Sequence, residues 1–311
     1  MTDLIPRDET TPDRSESEAR RSIGRTPDGR NRGAVGAAKR LFRNILIALP
    51  LILLVLWTVA PFVVTLSVSL KGKAEVFSNP SLLPESPNLD AYGDVLASES
   101  FTTSFTNSVI VGVGTTFLTI VVAVPAAYAF ARFRFRGRHL LLLFTLLPRL
   151  VPTIGMMIPI YRLAIETNML DRRITLIVVY TSMLLPLAVW LLVGFFQAIP
   201  RDIEEAANVD GAGLWGRLRY IVLPLAAPAM ITVGVLAFRE AWNEFTLVLV
   251  LVNSPGNRTL PFELYKLQGV EGIADYPLEA AFTVLTILPF IVFYTFVEKH
   301  VVAGLITGSG K

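Results

Sequence analysis

Few residues in this chain could do chemistry. There is no cysteine, and the two histidines, His139 and His300, each sit at the edge of a long apolar run. Thiolate chemistry, disulfides and cysteine-based metal sites are therefore excluded, and no nucleophile with its base can be assembled, so no catalytic residue, no metal site and no enzyme activity are expected. The polar groups that stand out are Arg149, Arg239, Glu240, Asn243 and Glu244, lying in or beside apolar runs. A charge at membrane depth costs at least ~2.5 kcal/mol, so each should face a partner or a wet cavity. Glu240, Asn243 and Glu244 recur at three- and four-residue spacing, which on a helix makes one face. Two readings stand: this face, with Arg149, lines a translocation path or its gate, or the acids pair with Arg149 or Arg239 and hold spans together.

Two stretches imitate nucleotide sites. Gly211 to Gly216 fits G-x-G-x-x-G, but it follows a helical pattern and lacks a surrounding βαβ unit. Gly304 to Lys311 has the wrong spacing for a phosphate loop and no Ser or Thr after the lysine. ATP would have to be handled by another protein.

The elements that must position these residues are membrane spans. Of 311 residues, 53% are hydrophobic and 17% charged, too little charge for an ordinary soluble chain. Six apolar runs are long enough to cross a bilayer, at about 44–70, 108–131, 140–161, 174–199, 223–252 (with an interrupted middle) and 280–297. Runs of this length cannot be barrel strands, so the fold is read as an all-α membrane protein with six transmembrane helices. Prolines at 125, 148, 152, 159, 186, 228 and 289 would either bend these helices or simply be packed within them. Residues 1–40 read as a polar, basic cytoplasmic tail without enough apolar surface to order it.

Basic residues set the orientation. Arg30, Arg32, Lys39, Arg40 and Arg43 precede the first run with no acid among them, and Arg132 to Arg138 carries four arginines in seven residues, so both face the cytoplasm. The acidic loops 71–107 and 253–278 face outward. Arg162, Arg172 and Arg173 dissent, but parity places their link outside and returns both termini to the cytoplasm. The basic residues flank spans rather than forming one surface run, which points to membrane lipid and not to nucleic acid.

Between the fourth and fifth runs lies Glu205 to Pro224, EAANVDGAGLWGRLRYIVLP. Ile203, Ala206 and Ala207 give a short helix a small-residue face, Gly211 and Gly213 permit a turn, and Trp215, Leu218 and Ile221 restart a helix that enters the membrane at Leu223 and Pro224. Glu205-Ala206-Ala207, then Gly211, then Ile221, Leu223 and Pro224 resemble the EAA motif of the membrane-spanning subunits of binding-protein-dependent ABC importers.

The resemblance covers about Leu41 to Gly308. Asn107-Ser108, Ala126 to Arg132 followed by Phe135-Arg136-Gly137, Ala241 to Phe245, Thr259-Leu260-Pro261, and Val302 to Leu305 with Thr307-Gly308 look like the sugar-importing, maltose-type branch, and its smaller permease subunit. It implies an ABC importer permease fold over 41–308, with a cytoplasmic coupling loop at 203–221 in which Glu205, Ala206, Ala207, Asp210 and Gly211 meet the ATPase. It also implies residence in the cytoplasmic (inner) membrane. The partners would be a second permease subunit, two ATP-binding subunits that hold the ATP and Mg, and an extracytoplasmic solute-binding protein meeting loop 253–278. The cargo would be a sugar or related polyol, alternatively glycerol phosphate or another small solute. A secondary transporter gives no reason for the EAA segment, and the chain shows no inverted repeat.

Overall fold

The computed structural model describes residues 29–268 and 275–309. Most of the expected tail, residues 269–274 of the expected outer loop and residues 310–311 lie outside the described residues. The chain divides into two compact units, residues 1–61 and 62–311.

In the first unit the described residues are all helical, the start of a helix that runs Gly29–Ser69 (α1). Helix therefore begins well before the apolar run, and 29–40, read from composition as part of the tail, is helical. Its Ala-rich stretch and Leu41 are good helix formers that continue without a stop signal into the membrane segment. From residue 44 to 64 the helix exposes its apolar side chains all round, with Trp57 80% exposed, as befits a surface meant for lipid or another helix.

The second unit is built from α2 (Glu75–Ser78), α3 (Asp90–Ala97), α4 (Glu99–Arg132), α5 (Arg138–Leu146), α6 (Thr153–Glu166), α7 (Arg173–Ala198), α8 (Arg201–Val209), α9 (Leu214–Arg217), α10 (Leu223–Asn243), α11 (Val248–Leu251), α12 (Leu260–Leu267) and α13 (Tyr276–Ser309). No strand occurs among the described residues. Helices α4, α7 and α10 form its centre, and the α4–α7 pair packs most extensively. Small residues on α4 and α10, Ala123, Ala127, Ala226 and Ala229, let the backbones approach around Leu192, Phe196 and Val222. A second core gathers Val111, Leu176 and Tyr180 with Leu247, Val248 and Leu251, and a third joins Phe101, Trp242 and Phe282.

Among the described residues four helices are long and apolar enough to cross a membrane, at Asn44–Ser69, Glu99–Arg132, Arg173–Ala198 and Leu214–Asn243. A fifth exists if the bent pair Arg138–Leu150 and Thr153–Glu166 is one span; α13 offers the shorter apolar run Tyr276–Val292 where the sixth span was expected. The run at 140–161 is thus not one straight helix: its halves meet at 95°. The cause is local. Leu147–Leu150 tightens to a 3-10 turn and Val151, preceding Pro152, is extended, as a residue before proline tends to be. Of the prolines expected to bend helices, Pro148 and Pro152 sit at this break, whereas Pro125, Pro159, Pro186, Pro228 and Pro289 lie inside continuous helices.

Candidate functional site

Hydrogen bonds gather the loops at two ends of the bundle. At one end the 201–222 segment folds as expected in outline. Helix α8 closes with Ala212 N donating to Ala207 O at 2.9 Å and Gly211 N to Asn208 O at 3.1 Å, a Schellman closure. It needs a left-handed residue, and Gly211 supplies it at φ 86°. A Cβ there would meet nothing within 4 Å, so glycine is required for its backbone angle, not for space. Helix then resumes at Leu214, passes through a π turn at Leu218–Val222 and enters α10. Pro224 has no N–H to offer the preceding turn, which favours such a wide turn. The run 214–243 is continuous over 30 residues, so the glycine turn joins the apolar helix without a break.

What fixes α8 to the bundle was not visible in the sequence. Glu204, not the Ala206–Ala207 face, is its buried residue; Glu205, Ala206 and Asp210 are exposed and Ala207 is half-buried. The Glu204 carboxylate meets Arg132 Nη2 at 2.6 Å and accepts the Tyr128 hydroxyl at 2.7 Å, and Arg132 also donates to Ile199 O at 3.0 Å. Both ion-pair side chains are under a tenth exposed. Tyr128 and Arg132 stand four apart on the last turns of α4, so one face of that helix grips α8. Arg201, Arg217 and Glu205 line the recess of about 170 Å³ beside this latch. The outward surface of the segment is apolar in part: Val209 is 87% and Trp215 68% exposed.

At the other end, Asn107, buried at the start of the second apolar run, donates to Gly256 O and Arg258 O at 2.9 and 2.8 Å and accepts from Arg173 at 3.2 Å. Ser108 Oγ accepts Leu260 N at 2.8 Å. Asp171, in a left-handed conformation at φ 59°, accepts the amides of Asn253 and Ser254 at 3.1 Å, and its own carbonyl accepts Asn257 Nδ2 at 2.7 Å. Partial burial opposes the Asp171 carboxylate, but these donors outweigh it and hold its pKa below the usual carboxylate range. Loops 71–107, 162–173 and 253–268 therefore share one end of the bundle. Arg173, which argued against parity, is bonded there to Asn107.

The polar residues of the apolar runs are only partly brought together. Arg149, Glu240 and Glu244 line one cavity of about 390 Å³ with Tyr180, Met156 and Met183. Asn243 does not line it; it bonds back to Arg239 O at 2.8 Å. The single helical face expected for 240, 243 and 244 ends early, because α10 stops at Asn243 and Glu244 turns extended. The Glu244 carboxylate then accepts Leu247 N at 2.9 Å and Val248 N at 3.4 Å, which starts α11. The expected ion pairing between spans is absent among the described residues: Glu240 pairs at 2.8 Å with its neighbour Arg239, both half exposed, and Arg149 has no acid within 4 Å. Nor does any cluster of His, Asp or Glu suited to a metal ion occur among them.

The model of the binding-protein-dependent transport system inner membrane component family matches residues 119–306, well over half of the chain. The chain belongs to that family. These permeases are transport components of the inner membrane and not enzymes. The sulfoquinovosyl glycerol transport system permease protein SmoH of Agrobacterium fabrum is 35% identical over 81% of this chain and 88% of that protein. The trehalose transport system permease protein SugB of Mycobacterium tuberculosis is 32% identical over 83% and 94%. A solved chain from a bacterial ABC transporter involved in the import of the acidic polysaccharide alginate superposes with a TM-score of 0.75, at 26% identity, covering 84% of this permease and 97% of that chain.

Proposed function

We propose that this permease carries a sugar inward by ATP-driven alternating access, paired with a second permease subunit and two ATP-binding subunits and supplied by an extracytoplasmic solute-binding protein. Six crossings are needed, the bent pair counting as the third and α13 as the sixth, with both termini cytoplasmic. The named relatives handle sugars or sugar derivatives, which favours that cargo over glycerol phosphate or another small solute. The observation that carries the reading is the 201–222 segment: a Schellman-closed helix latched to α4 by a buried ion pair and continuous with α10. Exposed Val209, Trp215, Glu205 and Asp210 give it an apolar, acid-edged surface suited to a cleft in the ATPase. Closure of the ATPases would pull this segment and turn α10 from inward-open to outward-open packing. Asn253 to Asn257, at the other end, is the surface offered to the binding protein.

Gly211→Asp tests it. Aspartate tolerates a left-handed conformation better than most residues and has open space there, so the protein should fold and insert. Uptake should fall to background while the ATP-binding subunit is lost or hydrolyses ATP without transport. Normal uptake in this variant would remove the segment from the mechanism.

A further inference from the structure

Breaks in two spans and the wall of a third converge on the cavity of about 390 Å³, within the ~300–1,000 Å³ range of small-molecule sites. Pro148, Arg149 and Val151 come from the 95° joint, Glu240 and Glu244 from the end of α10, and Tyr180 and Met183 from α7. Interrupted helices at membrane depth are where polar groups can be presented to a solute without facing lipid.

The charges nearby are balanced, Arg149 and Arg239 against Glu240 and Glu244. Arg239 is taken by Glu240. Glu244 spends part of its carboxylate on the amides of Leu247 and Val248. Two donors are available: the Arg149 guanidinium, which has no ion pair among the described residues, and the Tyr180 hydroxyl, which is buried at 2% exposure and faces the Glu244 carboxylate without closing a hydrogen bond of ordinary geometry. A buried, unmet hydroxyl costs about 1–3 kcal/mol, which a ligand oxygen would relieve. The carboxylates keep free lone pairs for ligand O–H groups, and Met156, Ile160 and Met183 form an adaptable apolar wall for C–H surfaces. A polyhydroxylated ring matches all three features. An anionic ligand would meet two carboxylates and one free arginine.

We propose that this cavity is a sugar-binding site belonging to this chain itself, and that it takes an uncharged sugar. The proposal rests on the importer reading and adds that this permease touches the cargo.

The test uses the complete complex in proteoliposomes, with its binding protein offered neutral di- and oligosaccharides, uronate oligosaccharides, glycerol phosphate and amino acids. Stimulated ATP hydrolysis with a neutral sugar supports the inference; stimulation only by a charged compound overturns it and leaves the importer reading standing. No stimulation by any probe, with uptake independent of ATP, overturns both. With the stimulating neutral sugar, Tyr180→Phe and Arg149→Gln should each lower uptake about 10-fold, the scale of one lost hydrogen bond to a buried partner, while stimulated ATP hydrolysis stays within about 2-fold. Arg149→Lys should recover part of the loss. Unchanged uptake in both variants, or uptake and ATP hydrolysis falling together in an assembled complex, would show that these residues do not hold the sugar.

Discussion

Replacing Glu204 by alanine removes at once the acceptor for Arg132 and for Tyr128. Arg132 would be left under a tenth exposed, with only the Ile199 carbonyl as partner. Removing one member of a buried ion pair costs about 3–5 kcal/mol, because the survivor stays desolvated without compensation. Tyr128→Phe removes one hydrogen bond and should cost about 1 kcal/mol. Arg132→Met combined with Glu204→Met leaves no orphaned charge, so its loss should fall short of the summed single losses by roughly 2–3 kcal/mol. Chemical unfolding of the detergent-solubilised protein, followed by the tryptophan emission to which Trp215 contributes, gives the loss for each single variant and for the double. A Glu204→Ala loss under about 1 kcal/mol, or single losses that add in the double variant, would refute the latch.

Other outcomes follow from the same geometry. Gly112 and Gly114 are two apart on α4, yet alanine should act differently at each. A Cβ at 112 would sit 2.8 Å from the Phe238 ring, which stacks on Trp242, and should destabilise by about 1–3 kcal/mol. A Cβ at 114 would sit 2.6 Å from the terminal methyl of Ile177 and 3.1 Å from its Cγ1, atoms of one aliphatic side chain that can shift more easily than a stacked ring, so Gly114→Ala should cost less than Gly112→Ala; equal losses in thermal unfolding would contradict this. Asp171 has a folded pKa below its unfolded value of about 3.9, so its contribution is present above that value and disappears as pH falls through the folded pKa. Amide exchange at Asn253 and Ser254, corrected for intrinsic rate, should therefore speed up on acidification below about pH 4 and be fast at neutral pH in Asp171→Asn, whose amide keeps one acceptor but loses the charge. Unchanged protection in both would contradict it.

Local chemistry made part of this legible in sequence. The glycine turn could be read because one backbone conformation demands Gly211. The apolar runs could be read because a bilayer sets their length. The bend at 147–152 was harder, since Pro148 and Pro152 look like Pro125 and Pro186 in sequence, and only the pairing of a 3-10 turn with an extended Val151 separates them. Glu204 was overlooked beside Glu205 because both are acids at the start of one helix; what distinguishes them is Arg132, some seventy residues away. The signal available was Tyr128 and Arg132 at four-residue spacing on the last turns of a span, a polar pair in need of an acid. Glu244 was read as a continuation of a helical face, whereas its side chain ends one helix and begins the next, a choice made by the packing of Leu247 and Val248 in the core. The mutual bonds of Asn107, Asp171, Arg173 and Asn257 required the fold before they could be seen.

The absence of cysteine makes the decisive measurement simple. Asp210→Cys and, separately, Asn257→Cys give single thiols at opposite ends of the bundle, and a short bifunctional cross-linker applied to the complete complex in membranes reports which protein lies beside each. The account predicts that position 210 links to the ATP-binding subunit, and that position 257 links to the solute-binding protein and never to the ATPase. An ATPase adduct at 257, or none at 210 in a complex that still hydrolyses ATP, would contradict it.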